Sequence, residues 1–274
     1  VPDEIDFPIS FEDTRVNDKK YLINDNTGEA LDVVGHSLAR GCVSHPEFYY
    51  KVHNTITENL SEEDKEGMYT KFRTAQRGCW STMEVHFPSV KSEIENDKFR
   101  TSTFLRGIST HGINGCLSNQ FFWGLMDTFC TNGQISGEWE SVRRKNTSGF
   151  RILNFVEEIR SAKEQFVQTT ERLQKWANTN VETNSVETVL NKLMSEHKAE
   201  KMLFLFKQEA TVRGQNMFAL QSAFTNYASY ADDRNGFSLR QTATVGETAN
   251  KSMWAREMEV SKWLSSNEIQ GLAS

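Results

Sequence analysis

Apolar and polar residues alternate through much of the first half of the chain. From Cys79 to Phe87, Met83, Val85 and Phe87 point one way while Thr82, Glu84 and His86 point the other, the period-two signature of a strand. Met68 to Gln76 alternates likewise, and Arg77-Gly78 joins the two runs. The pair predicts a half-buried antiparallel sheet. Upstream, Lys20 to Gly35 holds two short β-type runs around Asp25-Asn26-Thr27-Gly28, where Asn and Gly supply the left-handed positions of a hairpin loop. Residues 1–19 are acidic and polar and read as an extended arm, with Ile9 and Phe11 adding an edge strand. Phe99 to Gly133 forms a central hairpin of one strand, an Asn114-Gly115 turn and a long apolar run ending in Cys130-Thr131-Asn132-Gly133. Asn-Gly between strand-like runs is a strong hairpin signal because both residues accept positive φ. Gln134 to Lys145, with Ile135, Trp139 and Val142, adds a further strand-like piece.

Helical periodicity appears twice. Ser44-His45-Pro46-Glu47 places Ser at the N-cap, Pro in the first turn and Glu at N3, a pattern that can satisfy two orphan amides reciprocally. Phe48, Tyr49, Val52, Ile56 and Leu60 then recur at helical spacing, which predicts about four turns. From Phe150 the pattern stays helical. Ile152, Phe155, Val156, Ile159, Phe166, Leu173 and Trp176 follow the i, i+3, i+4, i+7 rule, predicting a long amphipathic helix fit to pack on the sheet. Ser185 to Ala210, Asn216 to Tyr230 and Glu247 to Leu264 continue as helices, with breaks at Arg213-Gly214 and Asp232 to Gly236. Strands followed by helices read as an α+β fold. The expected organisation is an arm over 1–19, a β-rich half over 20–149 and a helical half over 150–274, together one compact domain.

At 274 residues the chain can bury a real core without covalent staples. Its four cysteines, at 42, 79, 116 and 130, are widely spaced and include no C-x-x-C pair, which points to free thiols in a reducing cytosol. No signal-peptide pattern opens the sequence, and no apolar run approaches the roughly 20 residues of a membrane helix. A soluble protein with no membrane partner is expected. The formal charge of −6 repels polyanions at long range, so any nucleic-acid binding must come from a local basic stripe.

The chemistry-bearing residues argue against an enzyme. His36, Cys42, Cys79, His45, His86, His111, Cys116 and Cys130 lack the tight spacing that lets one loop present two metal ligands, so neither metal nor cofactor is expected. Cys130 lies in the apolar run from Phe121 to Phe129, where burial raises a thiol's pKa and keeps it inert. Glu157-Glu158 and Asp232-Asp233 read as a solvated helix face and a turn. Gly112-x-x-Gly115 lacks the Lys-Ser/Thr ending of a phosphate loop and precedes a strand.

The basic residues carry more. Strand alternation puts Tyr69, Lys71 and Arg73 on one face, and Lys98, Arg100, Phe104 and Arg106 on one face of the strand two elements on. Arg143, Arg144 and Lys145 add charge before the long helix. Basic side chains interleaved with rings suit single-stranded nucleic acid, whose phosphates follow a groove while bases stack on aromatics. The same residues also suit the solvated face of an antiparallel sheet. Trp254 and Trp263 in the last helix, with Met253, Met258 and Val260, match the residue types of a self-association surface.

Asn114-Gly115, Cys130-x-Asn132, Val142-Arg143-Arg144 and Ser222-Ala223-Phe224-Thr225-Asn226-Tyr227 together resemble the phage- and plasmid-borne family catalogued as domain of unknown function 932. The hairpin from Tyr21 to Gly35 also looks like that family's opening. The chain departs from the pattern at Asp127, where the family usually has Arg, at Ser222, where it has Asn, and at Tyr230, where it has His. The resemblance implies a phage or plasmid origin and a life in the host bacterial cytoplasm, and it brings no established activity. With the basic faces, it leads to the expectation of a non-enzymatic phage protein that binds single-stranded DNA in genome replication or recombination, as a homo-oligomer. Lys71, Arg73, Arg100, Phe104, Arg106, Arg143, Arg144 and Lys145 would line the site. The alternative is an acidic anti-defence or host-takeover protein that occupies a host protein's surface.

Overall fold

A computed structural model of the chain describes residues 1–128, 133–136, 159–230 and 247–273. The fold is α+β. Three strands, β1 (Ile9–Asp13), β2 (Lys19–Asn24) and β3 (Glu29–Gly35), form an antiparallel meander. Five more, β4 (Tyr69–Ala75), β5 (Trp80–Glu95), β6 (Arg100–Gly112), β7 (Gln120–Asp127) and β8 (Gly133–Ser136), follow one another in a second sheet. The helices are α1 (His36–Ala39), α2 (His45–Asn59), α3 (Glu62–Lys65), α4 (Ala162–Ala177), α5 (Thr183–Leu193), α6 (Glu196–Arg213), α7 (Met217–Tyr230), α8 (Glu247–Leu264) and α9 (Asn267–Gln270). Among the described residues no helix is long and apolar enough to cross a membrane.

The chain divides into two compact units. Among the described residues, the first comprises 1–89, 106–123 and 159–163, and the second comprises 90–105, 124–128, 133–136, 164–230 and 247–273. In the first, the edge strand expected in the arm is β1, and the residues before it are packed: Ile5 and Phe7 are buried, and Phe7 packs with Leu22, Leu31, Val34, Cys79 and Ile113. The β4–β5 turn is built around this contact. Gln76, Arg77 and Gly78 all have positive φ, and a Cβ on Gly78 would stand 2.6 Å from the Glu4 carbonyl oxygen, so only glycine fits there. Ser44 caps α2 by accepting from the Glu47 amide, but the Glu47 carboxylate turns outward to Lys51 at 2.5 Å rather than closing the reciprocal box. The complete box stands one helix later, between Ser61 and Asp64.

β5 departs from the half-buried strand expected. Met83, Val85 and Phe87 are buried, but so are Thr82, Glu84 and His86 on the opposite face, which makes this a strand with polar groups on an enclosed side. The Asn114-Gly115 signal marks a longer connection between β6 and β7: Gly115 takes φ +82°, and the Asn114 carboxamide oxygen accepts from the Cys116 amide as an Asx turn.

In the second unit, the helical stretch expected from Ser185 to Ala210 is two helices. Met194 and Ser195 have extended backbone, and Ser195 opens α6. Gly214, at φ +87°, ends α6, and the Asn216 side chain then accepts from the Ala219 amide to start α7.

Candidate nucleic-acid interface

Among the described residues β4 is one of the two edge strands of the second sheet, and its register with β5 sets Tyr69 opposite His86, Lys71 opposite Glu84 and Arg73 opposite Thr82. Since side chains alternate, these six groups share one face. Glu84 is its buried centre. Arg73 Nη2 donates to Glu84 Oε1, Arg106 Nε donates to Oε2 at 2.8 Å, and His86 Nε2 stands 3.3 Å from Oε2. Burial drives the Glu84 carboxyl upward, but Arg106, Arg73 and the hydrogen bonds from His86 and Arg106 outweigh it and hold the group well below the carboxylate range. His86 is itself lowered by burial, against the pull of Glu84.

Tyr69 lies over this buried cluster. Its ring is parallel to that of His86, with centroids 4.6 Å apart and 7° between planes, and it remains 39% exposed. The Lys71 ammonium stands 5.6 Å from the Tyr69 ring centre. One side of this ring is thus supported by a buried imidazole, beside an exposed cation.

The residues expected to form a basic groove fall into four situations. Lys71 is exposed. Arg73 and Arg106 are spent on Glu84, and Arg106 is 1% exposed, which corrects the expectation that it stands on an open face. The reason is that a buried carboxylate draws guanidinium groups inward. Arg100 and Phe104 belong to the second unit, where Arg100 is exposed but engaged by Glu93 at 2.6 Å and Glu95 at 3.7 Å; Phe104 is half-buried. Arg143, Arg144 and Lys145 lie outside the described residues, as do Cys130 and Asn132.

Two further clusters escaped the sequence reading. In the first unit, the carbonyl of Gly78 lies 2.7 Å from His45 Nε2 and can only accept, so Nε2 carries the proton and His45 Nδ1 is an acceptor. His111 Nδ1 is 2.8 Å from that nitrogen, Ser81 Oγ is also 2.8 Å from it, and the Tyr49 hydroxyl lies 2.8 Å from Ser81 Oγ. Burial lowers His45 to about 4 despite the Gly78 hydrogen bond, and lowers His111 well below the usual imidazole value. Although a serine beside a histidine suggests a nucleophile, Ser81 is fully buried and no substrate reaches it. The available signal was Ser81 itself, a polar residue on the apolar face of β5.

In the second unit, Arg213 is fully buried between Asp127 and Glu209, each at 2.9 Å, with Phe99 and Phe218 rings 4.3 and 4.9 Å from its guanidinium carbon. Thr101 donates to Asp127 at 2.6 Å and Asn226 to Glu209 at 2.9 Å. The adjoining cavity, lined by Ser222, Thr225 and Gln221 among others, is only about 10 Å³, at the limit of a single water.

No family model, curated protein or solved structure matches the chain. The geometry itself must therefore rank these places. The His45 and Arg213 clusters are closed to solutes, and among the described residues no group of His, Cys, Asp and Glu could hold a metal ion. Cys42 is pushed up to about 12 by burial, against any thiolate chemistry there. The Tyr69–Lys71 face combines an accessible ring with a cation.

Proposed function

We propose that the protein is a non-enzymatic phage protein that binds single-stranded nucleic acid during phage genome replication or recombination. The observation that carries this reading is the Tyr69 ring, half open to solvent, supported by the parallel ring of His86 and flanked by Lys71. An unpaired base stacks on such a ring without sequence preference while the ammonium meets the adjacent phosphate. Arg73, Glu84 and Arg106 act beneath it, fixing His86 so that the ring above it stays in place. The likeness to domain of unknown function 932 supports the phage setting.

Fluorescence anisotropy with a labelled single-stranded oligonucleotide at low salt tests the reading. Wild type is expected to bind, and Tyr69→Ala to weaken binding by about 1 to 3 kcal/mol, the worth of one stacked base. Failure of wild type to bind at low salt overturns it.

A further inference from the structure

The opposite face of β4 opens onto a second feature in the same unit. Thr70 and Phe72 alternate away from Tyr69 and Lys71 and line a cleft of about 220 Å³ with Tyr50 and His53 from α2 and Met83 from β5. Phe72 and Met83 are register partners, and Tyr49 meets Phe72 edge to face at 5.3 Å, so the floor is set by packed core residues. The mouth is different. Tyr50 is 67% exposed, and among the described residues the Tyr50 hydroxyl, the His53 ring and the Thr70 hydroxyl make no hydrogen bond.

We infer that this cleft receives one unpaired nucleobase of the strand that Tyr69 and Lys71 hold; the inference rests on the single-strand reading. Three observations select that occupant. The volume lies below the roughly 300 to 1,000 Å³ of a pocket for a drug-sized ligand, so it suits one flat ring system. The walls are mostly rings, with the Met83 thioether and the Val1 side chain between them, a lining that favours a π-face. Finally, the three rim groups can each exchange hydrogen bonds with the edge of a heterocycle, whereas an aliphatic side chain would leave all three unused. Because β4 is an edge strand, a polynucleotide crossing it meets Lys71 on one face and the cleft on the other.

The test pairs two readouts. A single-stranded oligonucleotide carrying 2-aminopurine is titrated into wild type and into Tyr50→Ala/His53→Ala, and anisotropy gives affinity while the base's own fluorescence reports its stacking. Wild type should quench the 2-aminopurine and bind a strand in which that single base is replaced by an abasic site, its neighbours kept for Tyr69, about tenfold more weakly. The variant should bind intact and abasic strands alike, with unchanged far-ultraviolet circular dichroism. If wild type binds the intact and abasic strands equally, or the variant quenches as wild type does, the cleft holds no base, while the Tyr69 reading stands. No binding of any strand by wild type instead overturns the function on which this inference rests. As a fold-independent check, the His53 ring resonances of wild type should shift when a nucleoside monophosphate is added; unmoved resonances would count against the cleft.

Discussion

The two units solve the burial of charge in opposite senses. In the first, one carboxylate, Glu84, is gripped by two guanidiniums; in the second, one guanidinium, Arg213, is gripped by two carboxylates. Both avoid an isolated buried charge, which costs far more than a paired one. They differ in what covers them. Phenyl rings stand 4.3 and 4.9 Å from Arg213, and its cluster adjoins almost no free volume, so it holds helix α6 to the strand residue Asp127. The Glu84 cluster reaches the surface through His86 and the exposed Tyr69. A charge network closed by apolar rings acts as a structural fastener; one that ends in an accessible aromatic and a lysine leaves a ring and a cation at the surface, which the proposed function uses.

The comparison breaks hardest at Arg213. Arg213→Met keeps bulk but strands Asp127 and Glu209 without their cation, and the expected loss is about 3 to 5 kcal/mol of stability in urea denaturation. Adding Asp127→Asn and Glu209→Gln to that variant should restore a large part of it, because no buried charge is then left unmatched. A loss below about 1 kcal/mol for Arg213→Met would show that the network is not a fastener.

Acid separates the first unit's groups from one another. His45 is lowered when folded, to about 4, so the unfolded chain takes up a proton between about pH 6.5 and 4 that the folded chain refuses. Stability from this group is fully present above pH 6.5 and drains away as pH falls toward 4, by on the order of 3 kcal/mol. Glu84 is also lowered, so its contribution persists through that window and fades only below the ordinary carboxylate range, near pH 4.3. Denaturation midpoints across pH 7 to 4 should therefore decline in wild type, with His111 and His86, also lowered by burial, adding to the slope, and decline less steeply in His45→Gln. Equal slopes in the two proteins would remove His45 as the cause.

How much of this was legible in the sequence follows from what each signal measures. Periodicity found the β2–β3 hairpin, α2, the β4–β5 pair and the helices α7 and α8, because each carries apolar residues at the spacing of its own element, although α7 and β5 are buried on more than that one face. It could not foresee that Thr82, Glu84 and His86 are enclosed, since alternation reports which side a residue faces and not what lies over that side. For the same reason, Arg106 and Lys71 looked equivalent from their strand positions. Glu84 stands opposite Lys71 in register, yet it pairs with Arg73 and Arg106, and Lys71 stays exposed. Asp127 gives the reverse lesson: nothing in its own stretch of sequence marks it, and the Arg213 that pairs with it comes 86 residues later.

The smallest expected effect concerns Lys71, and it separates a phosphate contact from a merely solubilising charge. Lys71 is an exposed cation at the Tyr69 ring, so Lys71→Gln should leave stability within about 0.5 kcal/mol of wild type, as surface substitutions do. Binding should change in a specific way. Each phosphate neutralised on a single strand contributes about 0.7 to the slope of log affinity against log salt, so the variant's slope should be shallower by about that amount, with all sequences weakened alike. An equal drop at every salt concentration would mean that Lys71 acts through the Tyr69 ring and not on a phosphate, and the basic half of the proposed face would then have to lie elsewhere on the molecule.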